Sequence, residues 1–281
     1  MIVTEGLGKA YGSRWALRDC TLTVPAGSIV ALVGRNGAGK TTLLRMLAGL
    51  SAPSAGRAEV AGVPVGQARR TVAFVGQDKP LYRGLTVAET LRLGAALNPG
   101  WDAAAARFRL AGLPLGRRVG RLSGGQRTQV AIALALGKRA PVLLLDEPMA
   151  DLDPVARDEL MRELLGGAAG TGTTLVLSSH VVTELAGVVD HLVLVNDGRL
   201  QLDGDLDALL DAHKLLIGPA ELAGRVGPHR VVSRSVTGRQ ASVLVRTAGP
   251  VHDPRWLVRD VGLPDLVVAY LRDGTGLREA A

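Results

Sequence analysis

The stretch GRNGAGKTT, Gly34 to Thr42, fits the pattern G-x-x-x-x-G-K-[ST]. It follows the apolar run SIVALV and opens the helix-period run TTLLRMLAGL, so the pattern has the strand-to-helix context its chemistry needs. Gly34, Gly37 and Gly39 let the backbone of Arg35, Asn36 and Ala38 wrap a chain of phosphates. Lys40 brings a point charge to the β and γ phosphates, and Thr41, followed by Thr42, offers a hydroxyl to Mg²⁺. A nucleotide carrying β and γ phosphates, with Mg²⁺, is the ligand this combination suits.

Further polar residues close other apolar runs. PVLLLDEP ends on Asp146 and Glu147. Carboxylates at the end of a buried strand cost several kcal/mol unless paired or metal-bound. A nucleotide-bound Mg²⁺ would offset that cost at Asp146 and leave Glu147 to polarise a water as general base. His180 ends TTLVLSSH, where it could donate to a γ-phosphate oxygen and to the attacking water. Gln77 ends TVAFVGQ and either ligates Mg²⁺ through its side-chain carbonyl or satisfies a strand end. Tyr11, in AYGSR, is either a half-buried turn aromatic or a face on which adenine stacks.

A second candidate phosphate cradle lies at LSGGQ, Leu122 to Gln126, where Ser123, Gly124 and Gly125 precede an alanine-rich helical run. A plain reading makes Ser123 a helix N-cap. The phosphates of a nucleotide held by Gly34 to Thr42 are already covered on one side, however, and one chain cannot easily fold a second helix start over the other. A second copy of the chain can.

These residues need a scaffold that gathers strand ends. The runs SIVALVG, RTVAFVGQ, PVLLLDE, TTLVLSSH and HLVLVNDG are short and continuously apolar, as in a parallel sheet buried on both faces. Ligands in such sheets bind outside the carboxyl ends of the strands. Ile2 to Val33 reads as short antiparallel strands broken by YGSR and VPAGS. Residues 78 to 121 read as a helical insertion, with a helical subdomain reaching to about 140 and a capping box at Thr86 and Glu89. From about 219 to 281 the chain reads as a small α+β appendix, with a hairpin turning at Thr237 and Gly238 and a helix ending at Gly274. The expected fold is α/β: a mostly parallel core, an N-terminal antiparallel subdomain, the helical insertion and the appendix.

Composition sets bounds. The chain has 281 residues, 47% hydrophobic, and a net charge of +7, enough for one large core domain with a small companion. No apolar run reaches the roughly 18 residues a spanning helix needs, and MIVTEGLGKAYG lacks the layout of a signal peptide, so a cytosolic protein is expected. The single cysteine, Cys20, excludes intrachain disulfides and Cys-based metal sites. The 33 Lys and Arg are scattered and only 3% of residues are aromatic, so nucleic acid is not an expected partner.

In their order, GRNGAGKTT, LSGGQ, VLLLDEP, the DLD of Asp151 to Asp153 and SSH resemble the ATP-binding cassette (ABC) ATPases, the nucleotide-binding subunits of ABC transporters, over about Ile2 to Ala212. The resemblance implies a P-loop fold with Gly34 to Thr42 as Walker A, Gln77 as the Q-loop glutamine, and Leu122 to Gln126 as a signature acting in trans. It implies Asp146 as the Walker B acid with Thr41 and Gln77 as Mg²⁺ partners, Glu147 as catalytic base, His180 as switch histidine, and Tyr11 as the adenine-stacking aromatic. It further implies a head-to-tail homodimer or heterodimer closed by ATP, and a separate integral membrane permease subunit that holds the cassette at the inner face of the cell membrane. The D-loop carries Asp151 where a small residue is more usual. The size and placement of the appendix are similar to the tails of ABC-2 type and multidrug exporter ATPases, so export is the expected direction, with an importer or a soluble ABC ATPase as the alternatives. A kinase or GTPase of another P-loop family leaves LSGGQ and His180 without a role.

Overall fold

The computed structural model describes residues 1–108, 110 and 112–272. In chain order, β1 (Ile2–Tyr11) and β2 (Arg14–Val24) form a hairpin, and β3 (Ile29–Val33) leads through a glycine-rich loop into α1 (Lys40–Leu47). β4 (Ala55–Val60) and β5 (Val63–Pro64) return to the first sheet, whose order is β2-β1-β4-β5, with antiparallel pairing throughout. β6 (Val72–Val75) is followed by α2 (Val87–Leu97), α3 (Ala103–Phe108) and α4 (Gly124–Gly137). Then come β7 (Val142–Asp146), α5 (Pro154–Thr171), β8 (Thr174–Ser179), β9 (His191–Asn196), β10 (Arg199–Asp205) and α6 (Leu206–Asp211).

The central sheet runs β10-β9-β3-β8-β7-β6, parallel from β9 to β6, with β10 antiparallel at one edge. Alternation sorts its apolar residues into two cores. Ala31, Val33, Leu143, Leu145, Leu175 and Leu177 face the side of α4 and α5. Val30, Leu32, Leu144, Val176 and Val193 face α1 and the antiparallel sheet. With both faces covered, β7, β8 and β9 are buried along their whole length, which is why their sequences read as unbroken apolar runs.

The helices start where their caps put them. Thr86 accepts from the Glu89 amide at 3.2 Å while Glu89 accepts from the Thr86 amide at 2.8 Å, the reciprocal box expected for α2. Asp102 caps α3 by accepting from the amides of Ala104 and Ala105, and Asp153 caps α5 ahead of Pro154.

The appendix differs from the sequence reading at its start. β11 (His213–Pro219) already pairs with β13 (Gln240–Arg246) and with β14 (Leu257–Asp260), and β12 (Arg230–Thr237) completes a sheet of order β12-β13-β11-β14. The boundary at 219 therefore cuts off a strand, and the sheet begins at His213. The reason is local: KLLIG follows the helix α6 directly and reads as its apolar continuation. β12 and β13 turn at Gly238, φ +58°, and α7 (Leu263–Arg272) packs Leu266, Val267 and Tyr270 into the same core that covers β7 and β8. The expected helix end at Gly274 lies outside the described residues.

Candidate functional site

The loop between β3 and α1 is built by three glycines with three different constraints. A Cβ on Gly34 would collide with the Val195 carbonyl oxygen of β9, and one on Gly39 would meet the Ala16 carbonyl oxygen at 2.7 Å. Gly37 at φ +81° and Gly39 at φ +109° are also in the left-handed region. The loop thus hugs β9 and β2 on one side and leaves Arg35 and Asn36 exposed on the other. α1 has no side-chain cap and no acid in its first turn, so its first N–H groups are left to whatever occupies the loop. Lys40 is buried, and its amine donates to the Gly34 carbonyl at 2.8 Å and lies 3.6 Å from Glu147 Oε1.

Across the sheet, β7 and β8 bring together the residues expected at their ends. Asp146 is fully buried, and its Oδ1 accepts from the Ser178 hydroxyl at 2.7 Å. Its Oδ2 is buried with no partner, an arrangement that costs several kcal/mol unless a ligand completes it. Ser178 Oγ also accepts from the Glu147 amide at 2.9 Å, so one hydroxyl sets both carboxyl residues. Glu147 sits at φ +49°, a strained backbone for a residue with a side chain. Its Oε2 is 2.8 Å from His180 Nδ1. His180, expected to face a γ-phosphate, is here the partner of the carboxylate beside it. Gln77 and Thr41 share the wall of one cleft with Asp146.

A family profile described as ABC transporter matches residues 17–150. The aliphatic sulfonates import ATP-binding protein SsuB 2 of Pseudomonas aeruginosa (strain UCBPP-PA14) is 38% identical over 206 residues, which cover 72% of this chain and 74% of the relative. This chain belongs to the ABC transporter ATP-binding proteins. SsuB 1 of Rhizobium johnstonii is 40% identical over 211 residues, 72% of the cassette and 76% of that protein. Among solved structures, the dimeric structure of MJ0796, a bacterial ABC transporter cassette, superposes with a TM-score of 0.67 at 26% identity, covering 73% of this cassette and 99% of that chain. The architecture is the P-loop ABC ATPase fold, and the cassette is an ATPase of that family.

The remaining expected residues of the cassette fall into two places. Tyr11 ends β1 and is exposed, with the Lys9 amine 5.4 Å from its ring centre. Ser123 caps α4: it accepts from the Gln126 amide at 3.2 Å, and Gln126 accepts from the Ser123 amide at 3.1 Å. Leu122 is buried among the helices, while Gly124 and Gly125 abut Asp151 and Leu152. The cleft of about 1090 Å³ that holds Gln77 extends between β6 and the helices α2 and α4, with the exposed Leu50, Tyr82 and Leu97 along it. Among the described residues, no helix is long and apolar enough to cross a membrane.

Two residues that matter here were not singled out from the sequence. Ser178 stands inside an apolar strand run; its signal was its place opposite Asp146, which only the β7–β8 register supplies. Lys79 is buried and paired with Asp151.

Proposed function

We propose that this cassette is the ATP-hydrolysing subunit of an ABC importer, working as a dimer against a separate membrane subunit. The observation that carries the hydrolytic reading is the buried, unpartnered Oδ2 of Asp146 beside the Gly34–Thr42 loop. Polar burial without a partner is tolerated where a ligand supplies one.

In this reading the phosphates of ATP occupy the loop, receive its N–H groups and those at the start of α1, and take the Lys40 amine from the Gly34 carbonyl and the vicinity of Glu147. Mg²⁺ fits the same place. Asp146 Oδ2 would hold it with the Thr41 hydroxyl and the Gln77 carbonyl. Among the described residues no group of three His, Cys, Asp or Glu side chains is placed to hold a metal alone, which suits a cation usually bound through one or two carboxylates plus phosphates. When bound, Mg²⁺ would neutralise charge on the β and γ phosphates.

Glu147 accepts the proton of the attacking water, and His180 Nδ1 orients that carboxylate. Ser178 keeps the strained turn at Glu147 in register with Asp146. Tyr11 offers its exposed face to adenine. Ser123 to Gln126 serve the nucleotide of a second copy, because the atoms that pack on Gly124 and Gly125 within the chain belong to Asp151 and Leu152 rather than to the phosphate loop. The cleft with Leu50, Tyr82 and Leu97 is the place for a cytoplasmic segment of the membrane subunit, whose grip would keep the cassette at the inner membrane face.

Import replaces export as the preferred direction. Similarity of the appendix to exporter tails was the support for export, whereas the relatives reported above carry import in their names. The decisive experiment is reconstitution with the membrane subunit in vesicles with the cassette side facing the lumen. Import predicts that ATP inside drives accumulation of substrate, and ATP-driven loss of preloaded substrate overturns the direction. Lys40→Ala with unchanged ATP binding by calorimetry overturns the site.

A further inference from the structure

Three segments distant in sequence meet at one carboxylate. The Lys79 amine, with its side chain only 4% exposed, lies 2.5 Å from Asp151 Oδ2, whose side chain is 48% exposed. A side chain on Gly124 would begin 3.2 Å from the Asp151 Cβ, and one on Gly125 would begin 3.3 Å from Leu152 Cδ2. The loop after Gln77, the turn that opens α4 and the loop after Glu147 are therefore pressed together around Asp151.

The arrangement is held against two costs. Lys79 has φ +44°, in the region that favours glycine, and a buried amine without a counter-ion is strongly disfavoured. Its backbone is tied down as well, because its amide donates to the Gly76 carbonyl at 3.0 Å and its carbonyl accepts from the Leu81 amide at 2.7 Å. Lys79 also lines the cleft assigned above to the membrane subunit. At the other end, the loop bearing Asp151 is short: it begins at the strained Glu147 and ends at Asp153, which caps α5. A shift of Asp151 thus has few residues over which to dissipate before it reaches Glu147.

We propose that the Lys79–Asp151 ion pair is a positioning pair for ATP turnover. It locks the loop after Gln77, the Gly124 turn and the loop after Glu147 into one arrangement, so that Glu147 is held where it can act. This inference rests on the role given to Glu147 above.

The test uses the full chain and measures ATP turnover, the KM for ATP and the melting curve by circular dichroism for Asp151→Asn, Asp151→Glu, Lys79→Met and the double variant Lys79→Met with Asp151→Asn. A misplaced reacting group costs turnover steeply, so kcat should fall about tenfold in Asp151→Asn and in Lys79→Met. The KM for ATP should stay within about twofold, because among the described residues neither side chain hydrogen-bonds or ion-pairs with the Gly34–Thr42 loop. Asp151→Glu should restore most of the turnover. The double variant should lose no more than either single one, since both delete the same interaction.

Wild-type kcat in folded Asp151→Asn, or losses that multiply in the double variant, overturns the proposal. If Lys79→Met does not fold, the half-exposed Asp151 variants decide alone: equal turnover in Asp151→Asn and Asp151→Glu overturns it. Glu147→Gln, run alongside, separates the two readings. Its loss of turnover with a silent Asp151→Asn refutes only the positioning pair, while retained turnover in Glu147→Gln refutes the site.

Discussion

Two buried polar clusters of this molecule differ in whether their atoms are satisfied. At the ends of β7 and β8, Asp146 keeps one carboxylate oxygen with no partner, Glu147 adopts a left-handed backbone, and Lys40 points its charge into a loop of glycines. At the junction of α6, β11 and α7, His213 is equally buried but complete. Its Nδ1 is 2.6 Å from the Leu209 carbonyl, its Nε2 is 2.9 Å from the Tyr270 hydroxyl, and the rings meet edge to face. Burial holds the His213 pKa below its ordinary value, so the ring stays neutral and serves as a tie between elements. Burial alone does not mark a functional residue. At Asp146 the mark is an oxygen left open in the cleft that Thr41 and Gln77 share.

The sharpest way to break this comparison is at Glu147. Glu147→Gln is expected to lower turnover by about 10² to 10⁴ while ATP still binds and the dimer is trapped, as read by size-exclusion chromatography with ATP. Turnover near the wild-type rate would make the open cluster structural. Next in size, Lys40→Ala removes a charge-assisted contact worth about 1.5 to 3 kcal/mol, so ATP affinity by calorimetry should fall about 10- to 150-fold.

Asp146→Asn sharpens the contrast in the opposite direction. It removes a buried charge that lacks a full set of partners, so the nucleotide-free melting temperature should hold or rise by a few degrees. Mg²⁺-dependent turnover should collapse in the same protein. A clear drop in melting temperature would mean that the carboxylate is already satisfied by the fold.

The smallest effect belongs to His213. Because its folded-state pKa is depressed, the unfolded chain binds more protons between that value and the ordinary one of about 6.5. Stability is therefore full above about pH 6.5 and declines as pH falls through that window. In His213→Gln the decline in melting temperature from pH 7.5 to 5.5 should flatten, with turnover at pH 7.5 within about twofold of wild type. A pH profile as steep as the wild type's would remove His213 as the cause.

Much of the candidate site was legible in the sequence because a phosphate loop is a local feature. Gly34 to Thr42 must be contiguous for a backbone loop to wrap an anion, and Asp146, Glu147 and His180 announce themselves as polar ends of apolar strands. The β1–β2 hairpin and the five parallel strands were readable, whereas β4 and β5, which complete the first sheet, lie outside the stretch that reads as antiparallel strands. Less legible was anything that depends on register. Ser178 couples Asp146 to Glu147 only because β7 and β8 align Asp146 with Ser178. His180 pairs with Glu147 for the same reason. β11 was missed because an apolar run next to a helix has no local mark that distinguishes a strand from the helix's last turn.

The sequence by itself determined which chemistry this chain performs, since the motif residues, their order and the strands that end in them are all properties of short contiguous stretches. Tertiary structure alone decided which atoms are left unsatisfied and which charges are paired across loops. Nothing in MADLDP or GQDKP states that Asp151 meets a buried Lys79, or that one oxygen of Asp146 is left open. Those facts come from side chains distant in sequence competing for the same buried space, and the packing of the sheet decides the outcome.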